Sequence, residues 1–555
     1  MNDNTQVLII GLDGVPLSLI QNWADAGKLP NLRRLMTDGA VGNLKSAIPP
    51  TSGPSWSSFQ TGKNPGKMGI YDFLYRRQGG YAFAPVNARR RDGQTIWSLA
   101  NQAGRSVGVL NMPMTYPVEQ VDSFMISGFL TPYSAKDFIH PPELLAELER
   151  EVGYYRIYPT ATFSEGHLES FLDASYQLLE MRTRTALYLM AQHPTDLTAV
   201  VYFDTDRILH QLWHFLDPRH PWRKDDQDQS DVVAAYFQRL DESIGRLLEK
   251  VDEDTLVVVL SDHGMGPAYN FIVLNNWLLD VGLLKLKRNP LTQLRKLLFK
   301  GGFTLRNVHK VINRLGLAQH AEYKAGYFAE HLIKMVFLSF LDVDWSKSLA
   351  YSFGRHLGSI YVNLKGREPQ GIVQPGAEYE RVREQIVELT KNFTDPRDGR
   401  PLIGHVARRE DIYTGPHLDE APDLTLFPAR ETDIFFGLSD FGSNHTVDTV
   451  YRYSGMHRDH GLLIIHGPDI QPETQIDGAV ISDVAPTILY AMGLAVPRDM
   501  DGQVLKAVFK NYDPARLLFS DNGRSPGREV DADTGYTREG EKEIMERLEE
   551  LGYLG

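Results

Sequence analysis

The chain has 555 residues, 42% hydrophobic and 23% charged, with a formal net charge of −13 and no cysteine. Its length suits one large α/β domain with insertions, or several smaller domains. The lack of thiols excludes disulfides and thiolate metal sites, leaving Asp, Glu, His and hydroxyl groups as ligands for zinc, manganese or similar ions.

The opening MNDNTQVLIIGLDG has no basic leader and runs straight into a strand, so no signal peptide is expected. Strands are predicted at 6–12, 107–112, 198–203, 255–261 and 461–466. Helices are predicted at 16–27, 30–38, 93–103, 142–152, 168–192 and 230–251. This alternation of apolar strands and helices implies an α/β fold, a largely parallel sheet with helices on both faces. Ligands of such sheets gather at the carboxyl ends of the strands. The apolar run MVFLSFL (335–341) reads as core and is far shorter than the ~20 residues a spanning helix needs. The cytoplasm is the expected location.

The rhythm breaks between about 268 and 375, read as a helical cap inserted between core segments 1–267 and 376–515, with 516–555 as a C-terminal arm and helix. Residues 285–335 hold eleven Lys/Arg against two Glu, a balance of +9, so the rest of the chain sums to −22. Leucines there recur at three- and four-residue spacing. The expected arrangement is a solvated insertion packing its leucines on the main body. The other reading is a weak contact with anionic membrane, or attraction of a phosphorylated substrate. The tail REGEKEIMERLEELGYLG reads as an amphipathic helix stopped at Gly552, behind an extended arm, FSDNGRSPGREVDADTG.

Seven polar residues in five segments are each read as falling just after an apolar, buried strand: Asp13 in VLIIGLDG, Ser52 in PPTSGPSW, Asp206 and His210 in VVYFDTDRILH, Asp262 and His263 in VVVLSDHGMG, and His457 in SGMHRDHG. Asp262 and His263 can share one cation if the chain turns at Gly264; the structural alternative is an Asp that caps a helix. Asp206 and His210, four apart, fall on one helix face and can chelate a second ion. Asp204 lies off that face, and His214 reads as packed or solvated. His457, in a turn-rich loop, completes the second set in preference to His460. Gly53-Pro54 suits a loop entering a helix, placing Ser52 or Thr51 as a nucleophilic hydroxyl at the positive end of the helix dipole. Such hydroxyls are more often simple N-caps. Carboxylates, imidazoles and a hydroxyl together describe a two-metal hydrolase.

This ordered set, with TG-x-x-P-x-x-x-G after the Ser/Thr segment, resembles the alkaline phosphatase superfamily, and within it the type I phosphodiesterase/nucleotide pyrophosphatase branch. The resemblance covers nearly the whole chain. It implies one divalent ion, expected to be Zn²⁺ with Mn²⁺ as the alternative, on Asp206, His210 and His457. A second would sit on Asp13, Ser52, Asp262 and His263. Spacing back from Thr61 in the family motif selects Ser52 over Thr51 as the residue that forms a covalent phospho-enzyme. Three departures bear on substrate: Met68 where the family often has His, Phe73 where nucleotide pyrophosphatases have Asn, and Ser for the usual Thr. Lys63, Asn64 and Lys67 are the nearby candidates for a replacement contact.

The expected function is hydrolysis of phosphate esters, phosphodiester or pyrophosphate bonds first, on a phosphorylated small-molecule or lipid-linked substrate. A phosphomonoesterase or phosphosugar mutase on the same centre is the alternative. A sulfatase fits less well, because Trp56 stands where its motif needs Arg, and a non-catalytic metal scaffold would not keep all seven positions. No nucleic-acid polymer is expected as partner. Trp56, Tyr71, Phe73 and Tyr81 are candidates for a pocket wall, though aromatic stripes are more often core.

Overall fold

The computed structural model describes residues 5–77, 79–161, 163, 166–223, 229–304, 306–308, 336–354, 356–436, 441–521 and 535–550. Nine described strands form one sheet: β1 (Val7–Leu12), β2 (Ala40–Lys45), β3 (Val107–Met112), β4 (Phe124–Ser127), β5 (Ile139–His140), β6 (Leu197–Tyr202), β7 (Leu256–Leu260), β8 (His460–His466) and β9 (Thr474–Ile476). Their order is β9-β2-β8-β7-β1-β6-β3-β4-β5. The five strands from β7 to β4 are mutually parallel; β8 runs antiparallel to β7 and β2, and β5 antiparallel to β4.

Every residue of β1, β3, β6 and β7 is buried, which is why these strands read as unbroken apolar runs. Alternate side chains feed two cores. Val7, Ile9, Val109, Val201 and Val258 pack with Trp56, Trp97 and Ile488 on one face. Leu8, Ile10, Val200, Tyr202 and Val259 pack with Ile20, Leu32, Phe237 and Leu240 on the other. All five predicted strands and all six predicted helices appear, with ends shifted by a few residues. Strand β2 alternates buried and exposed positions and was not predicted, nor were β4, β5 and β9.

Beyond the carboxyl ends of the parallel strands lie smaller sheets. One joins Ala350–Ser352, Gly358–Val362, Leu424–Pro428 and Ile403–Arg408 in that order, all antiparallel. It draws two strands from each side of position 375, so no break between sheets falls there. Another joins Asp433–Phe436, Asn270–Val273 and Val447–Thr449. The described part of 268–375 therefore holds strands as well as helices.

The basic block departs from expectation. Its described helix, Pro290–Lys300, buries Thr292 and Phe299 and leaves Leu291, Leu294, Leu297 and Leu298 exposed by 55%, 53%, 68% and 41%. Asp342 sets this rotation: its Oδ1 accepts from Thr292 Oγ1 at 2.6 Å and Arg295 Nη1 at 2.9 Å. Nor is 335–341 all core, since Leu338 is buried but Val336 and Leu341 are not. Residues 309–335 of the block, 522–534 of the arm and Gly552 lie outside the described residues. The terminal helix runs Arg538–Glu550. Among the described residues no helix is long and apolar enough to cross a membrane.

Candidate active site

Three adjacent strands deliver the acids. Asp13 follows β1, Asp262 and His263 follow β7, and helix α2 (Asp204–Leu216), which carries Asp206 and His210, begins one residue after β6. Gly14, at φ +72°, lets β1 turn close to its neighbours; a Cβ there would lie 2.7 Å from Asp206 Oδ1. The Gly14 N–H donates to Asp262 Oδ1 at 3.2 Å. Ser52 opens helix α1 (Ser52–Thr61), and Trp56 one turn on donates through Nε1 to Asp13 Oδ2 at 2.7 Å. Gly11 leaves room for that indole, since a Cβ there would lie 2.6 Å from Trp56 Cη2.

His457 corrects the sequence reading, which had it in a loop. It sits in a strand, Gly455–Arg458, paired antiparallel with Gly264–Pro267, where Met265 faces it. Gly264 likewise serves close approach rather than a turn: a Cβ there would lie 2.1 Å from the carbonyl of His460. His457 thus rides on this short ribbon, and His263 of the other set immediately precedes it.

The side chains form two buried groups, Asp206 with His210 and His457, and Asp13 with Asp262 and His263; in each, the offered atoms lie within 4.8 Å of one another. His210 Nε2 is 2.8 Å from His457 Nε2 and 3.3 Å from Asp206 Oδ2. His263 Nε2 is 3.6 Å from Asp13 Oδ1 and 3.4 Å from Asp262 Oδ2. Ser52 Oγ is 3.3 Å from both Asp13 Oδ1 and His263 Nε2. The rings of His263 and His457 stack at 3.7 Å, joining the groups.

The donor set fits divalent cations. Each imidazole turns Nδ1 to a backbone carbonyl: His210 to Gly455 at 2.8 Å, His457 to Pro50 at 2.9 Å and His263 to Gly264 at 3.0 Å. A carbonyl only accepts, so in the neutral rings Nδ1 carries the proton and Nε2 presents a lone pair inward. Lone pairs of His210 and His457 facing each other at 2.8 Å repel unless a cation lies between them. Asp262 Oδ2 is buried with no hydrogen-bond partner among the described residues.

Electrostatics point the same way. Burial, then the charges of Asp262 and Asp206, push the Asp13 carboxyl well above the usual range. Burial and Asp206 do the same to Asp262. Burial also raises Asp206, but the imidazoles of His210 and His457 outweigh it and hold this carboxyl low. Burial and His457 drive His263 well down, towards the neutral, ligating form. Among the described residues no Arg or Lys pairs with Asp13 or Asp262.

The remaining candidates have other work. Asp204 is held by Arg207 at 2.9 Å and Arg182 at 3.3 Å. His214 packs beside Phe215, His220 and Trp222, and His460 is exposed. Thr51 is the N-cap of α1, and its buried Oγ1 has no partner among the described residues. Lys63 pairs with Asp499 and Lys67 with Asp501, while Asn64 bonds Asp501 and Thr414. Tyr71 packs on Tyr413, and Tyr81 stacks on Trp345. Met68 is buried core, but Phe73 does border Gly53, the residue after Ser52: a Cβ on Gly53 would lie 3.4 Å from its ring.

Sequence reasoning missed His356. It lies between the strands Ala350–Ser352 and Gly358–Val362, at φ +86°, with its ring 4.3 Å from that of His457. Its only local hint is the preceding Gly354, because nothing in the spacing relates it to the metal-type motifs.

A search of curated proteins finds no match to this chain. Phosphonoacetate hydrolase from Sinorhizobium meliloti 1021, solved with phosphonoformate, is similar in structure: 15% identity, 88% of this chain and 95% of that one covered, TM-score 0.50. Human ectonucleotide pyrophosphatase/phosphodiesterase 5 is 13% identical over 91% of this chain and 100% of that one, at TM-score 0.48. The first likeness speaks to the fold alone. In sequence, the type I phosphodiesterase/nucleotide pyrophosphatase family model matches residues 7–462. The chain belongs to that family, and it is a phosphoric ester hydrolase.

Proposed function

We propose that the chain cleaves phosphodiester or pyrophosphate bonds with two divalent cations, Zn²⁺ or Mn²⁺, and a covalent phospho-Ser52 intermediate. One observation carries the reading: the Nε2 atoms of three imidazoles converge on three buried carboxylates, with Ser52 Oγ at 3.3 Å from both Asp13 and His263. One cation would be held by Asp206, His210 and His457, the other by Asp13, Asp262, His263 and Ser52. Bound there, the ions would lower the pKa of a coordinated hydroxyl and offset charge on the transferring phosphoryl group.

The protein's own groups do the positioning. Trp56 fixes Asp13, which lies beside Ser52, and the Gly14 N–H fixes Asp262. Helix α1 aims its N-terminal dipole at the oxygen that attacks phosphorus. As the Ser52 Oγ–P bond forms, the bond to the leaving oxygen breaks. Water then cleaves the phosphoserine, releasing phosphate or a monoester and restoring the hydroxyl. Neither His nor Asn stands at 68 or 73, so the substrate favoured here is a phosphorylated small molecule or lipid-linked ester rather than a free nucleotide.

The test compares p-nitrophenyl phosphate, bis-p-nitrophenyl phosphate and a sulfate ester, with Zn²⁺ or Mn²⁺, in wild type and Ser52→Ala. Diester turnover lost in the variant supports the reading, and a radiolabelled serine ester trapped by acid quench supports the intermediate. Preference for the monoester would shift the assignment to a phosphomonoesterase, and full activity in Ser52→Ala would end it.

A further inference from the structure

Helix α3 (Pro290–Lys300) has an outward face that no role so far explains. Its inward side is fixed by Thr292, Arg295 and Phe299. At about 100° per residue, Leu291, Leu294, Leu297 and Leu298 fill a single arc roughly opposite that side. All four are exposed, as are Phe303, just past the helix, and Leu341, whose carbonyl accepts from Lys287 Nζ at 2.8 Å. Soluble surfaces scatter single leucines but rarely align them.

Charge identifies the occupant. Lys285, Lys287 and Arg288 lead into the helix, Lys296 and Lys300 lie along one side of the leucine arc, and no acidic residue occurs from 281 to 321. The rest of the chain is strongly negative, so this cationic stretch stands out from it. A leucine face bordered by lysines is the pattern of a helix that lies in a lipid interface, with apolar side chains among the acyl chains and ammonium groups at the phosphates. The geometry points to α3 and its flanks as a docking surface for an anionic membrane. Each basic residue held at such a surface strengthens partitioning roughly fivefold. The inference is independent of the reading of the catalytic centre.

The full chain is sedimented with vesicles of phosphatidylcholine alone and of phosphatidylcholine mixed equally with phosphatidylglycerol, at low and high salt. Expected is low-salt binding to the anionic vesicles only. It should weaken at least tenfold in Leu294→Glu/Leu297→Glu, and by about 25-fold or more in Lys296→Glu/Lys300→Glu, with melting temperature and turnover of a soluble ester unchanged. No binding to anionic vesicles overturns the proposal, as does binding that both variants keep. A monomer–dimer equilibrium abolished by the leucine variant, without vesicle binding, overturns it in favour of a second copy on this face.

Discussion

Two buried carboxylate clusters in this protein are opposites. In the sheet of Gly358–Val362 and its neighbours, Asp423 accepts from Arg367 Nη1 and Nη2 at 2.8 and 2.6 Å and from Tyr379 at 2.6 Å. Beside it Glu368 is paired with Arg76 at 2.7 Å and with Arg367 at 2.9 Å. Burial pushes Asp423 up, but Arg367 outweighs it and keeps this carboxyl low. At the strand ends, Asp13 and Asp262 are equally buried, but among the described residues no Arg or Lys faces them, and both are raised. One cluster carries its own positive charge. The other is arranged for charge from outside, and this separates a structural knot from a reactive centre more sharply than burial does.

The largest effect that could break this contrast is catalytic. Ser52→Ala should lower kcat for a phosphodiester by roughly 10³-fold or more with melting temperature nearly unchanged. Tyr379→Phe, in the self-neutralised cluster, should leave kcat/KM within about twofold. Next in size is a stability test. Asp423→Asn takes from buried Arg367 its two-pronged carboxylate, leaving only Glu368, and should cost about 3 kcal/mol in denaturant unfolding, with or without metal. Asp262→Asn should instead stabilise the metal-free protein and abolish the gain from added Zn²⁺. That gain, in wild type, should be about 3 kcal/mol for each ion bound at a hundredfold excess over Kd, read as a melting shift that a chelator reverses.

A smaller effect tests how an internally paired group responds to pH. Hydrogen bonds that His417 donates to Asp92 and Glu420, each 3.2 Å away, push it up to about 9. Its protonated form is favoured in the folded chain, so the stabilisation is complete below about pH 6.5 and fades as pH rises through about 9. With partly exposed acids the loss should be about 1–2 kcal/mol, and His417→Gln should flatten stability over that window. An unchanged slope in the variant would remove His417 from the account.

Much of this was legible because of how parallel sheets bury their strands. VLIIGL, LTAVVY and LVVVL are apolar without interruption, so both the strands and the acids at their ends could be located. Strand β2 escaped notice because AVGNLK exposes alternate residues and takes its register from β8 and β9. The spacing of leucines gave α3 its helix but not its rotation, which depends on Asp342, distant in sequence. His356 reaches His457 only through a left-handed backbone turn in the second sheet, which local sequence does not announce.

The contact between the rings of His263 and His457 has one more implication. Each ring belongs to a different candidate ligand group; His457 sits in the ribbon of Gly264–Pro267 and Gly455–Arg458, and His263 immediately precedes it. Tilting either ring therefore disturbs its neighbour, so affinity at one seat should depend on whether the other is filled. A stepwise metal titration should show positive cooperativity, with half-loaded molecules scarce throughout.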